Sequence, residues 1–308
     1  MYAIDFDNPW VRLVAKDRAR AWVVVLIAAV FAALVLIAFR FLGSTIASHI
    51  EAAVARAGEP WPVIAAQAAL QGMVFGLLLL CAIIAGMIEK RPVWRAEKHS
   101  GLGILLGLLV GGLGFAACVG LASLAGAVVP NDAPRVHTAL AAMVVGLLLT
   151  AFQSTVEEVF FRGWLQPLVC ARWGPWLGLI TVSVLFGALH VAGGSRGALA
   201  LINLFLGGML FGLLALRSGG LWTAAAAHFA WNWTESGVLG LDPNPGVVAT
   251  GALIHLDLQG PSLWSGGADT LNGSLATTLV LMALVASLVV WKSSRSAQLA
   301  ARRSDPVP

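Results

Sequence analysis

The sequence predicts an all-α fold, a polytopic transmembrane helix bundle of about eight spans. Hydrophobic residues make up 59% of the 308 positions and charged residues only 11%, where soluble domains carry about 25% charged residues. The mean hydropathy is +0.86. Apolar windows of about 20 residues, the length that crosses a hydrocarbon core, recur along the chain. They lie at 21–39, 62–87, 101–129, from 138 into a charged cluster, and at 174–191, 197–216, 220–240 and 273–291.

The basic residues order these spans. Lys16, Arg18 and Arg20 precede the first span, and Lys90, Arg91, Arg95 and Lys98 follow the second. Arg172 follows the fourth, Arg217 the sixth, and Lys292, Arg295, Arg302 and Arg303 the eighth. If the spans alternate, all of these fall on one side. The other side holds Arg56, Arg135, Arg196 and, at a span end, Arg40, and its loop 241–272 carries Asp242, Asp257 and Asp269 with no Lys or Arg. Cytoplasmic loops hold the excess of Lys and Arg, so both termini are expected in the cytoplasm of a multi-pass protein of the cell (inner or plasma) membrane. The net charge of +4 reads as this topology signal. A lipid bilayer is the expected surroundings, and nucleic acid is not an expected partner. One integral membrane domain is expected over 1–308, with a motif core at about 138–240 and short cytoplasmic tails at 1–19 and 293–308.

The N-terminus does not read as a signal peptide. Asp5, Asp7 and Asp17 precede a stretch of full span length, which is expected to stay as the first helix. Cys81, Cys118 and Cys170 lie in or beside apolar segments with no CxxC pair, and read as small buried hydrophobes. Gly107 with Gly111, and Gly208 with Gly212, are small residues four apart that let helix backbones approach closely.

Chemistry is indicated where charge enters the apolar spans. Glu157, Glu158 and Arg162 fall within six positions, and each ionised group at a helix centre costs about 2.5–3.5 kcal/mol on insertion scales. His190, near the end of the fifth span, and His228 with Asn232, in the seventh, complete a set of six. Glu158 and Arg162 are four apart, with Glu on the N-terminal side, the favourable order for an ion pair on one helix face. Glu157 is rotated by about 100° from Glu158 and faces a different partner. His228 and Asn232 share a face, and Phe186 lies one turn before His190.

These residues fall into three ordered motifs: Glu157-Glu158-Val159-Phe160-Phe161-Arg162 as EExxxR, Phe186-Gly187-Ala188-Leu189-His190 as FxxxH, and His228-Phe229-Ala230-Trp231-Asn232 as HxxxN. On successive apolar segments, the set resembles the CPBP family of intramembrane proteases. That family includes the CAAX prenyl endopeptidases related to Ras-converting enzyme and the bacterial Abi-type proteins. The resemblance spans about 142–232, and all six polar motif positions match. It implies an intramembrane endopeptidase acting on a peptide or membrane-anchored protein near the cytoplasmic leaflet. By the same resemblance Glu157 is the general base that activates a water and His190 helps to hold it. His228 and Asn232 stabilise the oxyanion, while Glu158, Arg162 and Phe186 are structural or orienting. The residue chemistry is consistent: amide hydrolysis needs an activated nucleophile and preorganised donors at the developing oxyanion.

A cofactor is left open. The resemblance to the prenyl endopeptidases favours metal-free glutamate chemistry, but Glu157, His190 and His228 also have the composition of a His₂Glu zinc site with a fourth position for water, and many family members are classed as metalloproteases. Other intramembrane protease classes lack their motifs here, since HExxH, GxGD and GxSG are absent. Gly193-Gly194-Ser195-Arg196-Gly197 fits GxSxG but reads as a turn between two spans. Asn232-Trp233-Thr234 and Asn272-Gly273-Ser274 fit the glycosylation pattern, the first inside a span. Two rival readings stand beside the protease: a non-catalytic scaffold or immunity protein on the same fold, and a proton-coupled transporter using the buried Glu/His cluster. Counting from the helix ends puts His228 about 10 Å from the depth of Glu157 and His190; Pro167 is a candidate bend to reconcile them. Water must reach the site, and a polar cavity opening to the cytoplasm is expected.

Overall fold

A computed structural model describes residues 21–131, 140–245, 247 and 250–290. The expected tails 1–19 and 293–308 lie outside the described residues. The helices are α1 Ala21–Val54, α2 Trp61–Ile88, α3 Ser100–Leu124, α4 Leu140–Glu158, α5 Gln166–Trp173, α6 Pro175–Gly193, α7 Ala198–Ser218, α8 Trp222–Trp233, the single turn α9 Ser262–Ser265, and α10 Leu275–Val290. A π-helical segment, Val159–Leu165, joins α4 to α5 without a break, and a second, Thr234–Val238, extends α8. Two three-residue strands, β1 Val128–Pro130 and β2 Leu256–Leu258, pair antiparallel with Val129 opposite Asp257.

The bundle is all-α, but its spans differ from expectation. Four helical stretches among the described residues are long and apolar enough to cross a membrane: Trp61–Ile88, Ser100–Leu124, Leu140–Trp173 and Ala198–Ser218. Pro175–Val191 and Leu275–Val290 are apolar but shorter. About eight full-length spans are therefore not found among the described residues. The reasons are local. The third apolar window ends early because Gly126 turns the backbone at φ +74° and the chain continues into β1. The seventh window divides into a 12-residue α-helix and a π turn.

In lipid, helices associate through close packing rather than hydrophobic exclusion, and small residues allow it. Gly107 and Gly111 bring α3 directly onto α8. A Cβ added at Gly111 would lie 2.0 Å from the Ala227 carbonyl oxygen, and one at Gly107 would lie 2.3 Å from that of Thr223. Gly208 of α7 meets Ser183 of α6 in the same way. One apolar core surrounds the π segment with Val93, Phe160, Phe161, Trp164 and Leu168. A second lies among α3, α7, α8 and α10.

The backbone contact at Gly111 leaves no flexible side chain to yield, so Gly111→Ala is expected to destabilise the purified protein by about 1–3 kcal/mol. Gly120→Ala, in open space on the same helix, is expected to leave the thermal unfolding midpoint unchanged. Equal midpoints for the two variants would contradict this packing.

Candidate active site

The six polar motif residues fall into two connected groups. Glu158, Arg162 and His228 form the buried one. Arg162 Nη1 donates to Glu158 Oε1 at 2.9 Å, and His228 Nδ1 meets the same oxygen at 2.9 Å. A carboxylate only accepts, so the proton of this bond sits on His228 Nδ1 and leaves Nε2 to face the interior. Arg162 is 1% exposed. Its Nη2 donates to the Gly208 carbonyl at 2.9 Å, and its guanidinium lies 4.7 Å from the centre of the Phe186 ring. His228 stacks on Phe211 at 4.6 Å. Gln166 Nε2 repeats the Arg162 contact one turn on, donating to the Gly212 carbonyl at 2.9 Å.

Glu157, His190 and Asn232 form the second group, around a cavity of about 420 Å³. Gln153 Nε2 donates to Glu157 Oε1 at 3.2 Å, and Gln71 Nε2 lies 3.4 Å from Gln153 Oε1. Glu157 is 2% exposed, yet its Oε2 has no hydrogen-bond partner among the described residues. His190 Nδ1 meets the Phe186 carbonyl oxygen at 2.9 Å. That acceptor fixes the proton on Nδ1 and leaves Nε2 with a lone pair. Asn232 Nδ2 reaches Ser154 Oγ at 3.4 Å. A smaller pocket of about 40 Å³ is lined by His190, His228 and Asn232 together, so the two groups meet there.

Two elements set the depth of these side chains. The π segment begins immediately after Glu158, and π turns inside α-helices re-aim side chains at functional sites. Pro167 lies in the first turn of α5, beyond that segment, so the irregularity in this helix precedes it. Meanwhile the loop between α2 and α3 folds into the bundle. Arg91 donates to the Gly163 and Trp164 carbonyls at 3.4 and 3.0 Å, and Trp164 Nε1 donates to Glu89. Burial pushes the Arg91 guanidinium below its ordinary value, and the adjoining Glu89 carboxylate opposes that shift. Further along, Glu97 Oε1 accepts the Thr223 N–H at 2.9 Å and so satisfies a free donor at the start of α8. The first turn of α8 therefore packs against this loop, with Val93 and Glu97 as its buried residues.

Several site residues escape the sequence reading. Glu235 is 1% exposed and lines the same cavity as Glu157; Asn272 Nδ2 donates to its carboxylate. Asn272 in turn accepts from Trp231 Nε1 at 3.1 Å. The signal for Glu235 was present, an acid three residues after Asn232 in an apolar segment. Gln71 and Gln153 carry no charge and gave a weaker one.

The zinc alternative does not fit this arrangement. Among the described residues no three His, Cys, Asp or Glu side chains converge on a metal position. The cavity also differs from expectation in its position. It is lined by Gln67 and Gln71 near the start of α2, Gly193 at the end of α6, and Pro243–Pro245 beyond α8. That end of the bundle is opposite to the loop carrying Lys90, Arg91, Arg95 and Lys98, the end expected to be cytoplasmic.

Fold and site together define a multi-pass helical membrane protein with a buried carboxylate–imidazole centre. Residues 138–234, about a third of the chain, match the model of the Rce1-like family, the type II CAAX prenyl endopeptidases. That is a protease family, and its matched region holds all three motifs. No curated protein and no solved structure matches the chain.

Truncating one partner of a fully buried ion pair strands the other charge, at about 3–5 kcal/mol. Arg162→Ala is therefore expected to abolish recovery of monodisperse protein, and Arg162→Lys to restore little, because one ammonium does not reproduce the fork that spans Glu158 and Gly208. Size-exclusion profiles of the two variants in detergent check this. A wild-type profile for Arg162→Ala would contradict a structural role for the pair.

Proposed function

We propose that the chain is an intramembrane endopeptidase that hydrolyses a peptide bond with a water activated by Glu157. The supporting observation is the unpartnered Oε2 of a buried glutamate facing a cavity shared with His190 and Asn232. The family match supports the same reading. Water binds between the Glu157 carboxylate and His190 Nε2, which the Phe186 carbonyl keeps free to accept. Glu157 takes a proton as the water oxygen attacks the scissile carbonyl. Asn232 Nδ2–H and His228 Nε2–H donate to the oxyanion that forms. For Nε2 to donate while Nδ1 is bonded to Glu158, the His228 ring must carry both protons, and the cluster then sets two carboxylates, Glu157 and Glu158, against two cations, Arg162 and His228. Collapse of the tetrahedral intermediate breaks the C–N bond, and Glu157 returns its proton to the departing amine. Glu158, Arg162 and Phe186 hold His228 and His190 in place. No step uses a metal. The substrate is a peptide or membrane-anchored protein, and the Lys/Arg distribution supports a cell-membrane protein with both termini on the cytoplasmic side.

General-base catalysis contributes about 10²–10⁴-fold in rate. Glu157→Gln is expected to lose at least that much cleavage while accumulating in the membrane at wild-type levels. Comparative proteomics of membranes carrying either protein reads this directly: fragments that appear with the wild type and vanish with Glu157→Gln are products. Fragment patterns that do not change would sink the assignment of Glu157.

A further inference from the structure

The position of the cavity carries a consequence for how substrate arrives. Six described Lys and Arg residues, Lys90, Arg91, Arg95, Lys98, Arg172 and Arg217, sit at one end of the bundle, in the α2–α3 loop and at the C-terminal ends of α5 and α7. Hydrogen bonds tie this end together, from Arg91 to the π segment and from Glu97 to the start of α8. The opposite end is formed by the turns after α1, α6 and α8. Its described loops carry Arg56 and Arg196 with Asp242, Asp257 and Asp269, and Asp269 binds the backbone N–H groups of Arg196 and Gly197.

From Glu157 the two directions differ. Toward the basic end the interior is close-packed, with Phe160, Phe161, Trp164 and Leu165 against Val93, and their rings meet edge to face at about 5 Å. Toward the other end the cavity has a mixed lining, with Gln67, Ser236 and Asn244 among apolar residues such as Leu70 and Pro245, and it reaches the loop that follows α8. A peptide backbone entering a membrane protein needs polar partners along its route, because hydrocarbon offers none. The polar groups of the cavity lie toward the end away from the Lys/Arg-rich loops, and those loops face the cytoplasm by the positive-inside rule.

We infer that the cavity is fed from the extracytoplasmic side, so the substrate is a polypeptide segment exposed on the outer face of the membrane. This rests on the endopeptidase reading for what happens to the segment, but the direction of access is a separate property of the molecule. A chain entering from outside passes the α8–β2 loop, lies against Gln67 and Gln71, and meets Glu157 from the face opposite the cytoplasm.

Access is testable without knowing the substrate. Asn244→Cys at the mouth and Lys98→Cys at the basic end are labelled with a membrane-impermeant maleimide, first in intact cells and then in inverted vesicles. The wild-type chain is the control for the three native thiols. Asn244→Cys is expected to label in intact cells and to lose that labelling when external thiols are blocked beforehand. Lys98→Cys is expected to label only after inversion. Labelling of Asn244→Cys only in inverted vesicles would overturn the inference. The outcome is independent of hydrolysis: Glu157→Gln combined with Asn244→Cys must label as Asn244→Cys does. A loss of the endopeptidase reading alone would show as unchanged cleavage in Glu157→Gln, with labelling still from outside.

Discussion

One carboxylate oxygen holds the centre of this molecule. Glu158 Oε1 accepts from both Arg162 and His228 at 2.9 Å, joining the π segment after α4 to the middle of α8. A charge this far from water is tolerable only when paired and hydrogen-bonded. Its two partners are themselves braced. Arg162 reaches the Gly208 carbonyl of α7 and lies against three aromatic rings. The His228 ring stacks on Phe211 of α7. Three helices thus converge on one anion, and displacing any of them strands a charge.

The α2–α3 loop braces the convergence through Arg91, Val93 and Glu97, while Trp94 and Lys98 stay exposed. By turning inward, the loop supplies Arg91 to carbonyls of the π segment and Glu97 to the first turn of α8. Glycines allow the matching close approach, with Gly163 against the Val93 carbonyl and Gly111 against Ala227. Order in one part of the site therefore depends on packing in another, and the free edge of Glu157 stands beside a rigid frame. A buried acceptor left without a partner costs stability, and sites that hold such a cost are where function is commonly found.

Much of this was readable from spacing. Charge in an apolar span costs enough to mark Glu157, Glu158 and Arg162, and the i,i+4 interval put Glu158 and Arg162 on one face, where they pair. The same rule applied to Glu235 would have marked it too. Less readable were features that depend on tertiary depth. The windows at 174–191 and 273–291 match α6 and α10 closely, whereas the seventh divides into α8 and a π turn, which no hydropathy window registers. His228 was expected to share a face with Asn232, and both line the smaller pocket; that its Nδ1 also meets Glu158 follows from how α4 and α8 pack, which spacing does not register. A polar cavity was foreseeable from the need for water, but its end of the bundle was not. That was decided by aromatic residues of the π segment filling the space toward the Lys/Arg-rich loop.

Two adjacent glutamates stand in different surroundings, Glu158 paired within the frame and Glu157 lining the cavity. Thermal unfolding of Glu157→Gln and Glu158→Gln, purified in one detergent, tests the division without any substrate. Removing the charge of Glu157 takes away an unpaired buried anion, so its midpoint is expected at or above that of the wild type. Removing the charge of Glu158 strands Arg162, and its midpoint is expected several degrees lower, since about 1 kcal/mol shifts a chain of this size by roughly 2–4 °C. A lower midpoint for Glu157→Gln than for Glu158→Gln would contradict the account.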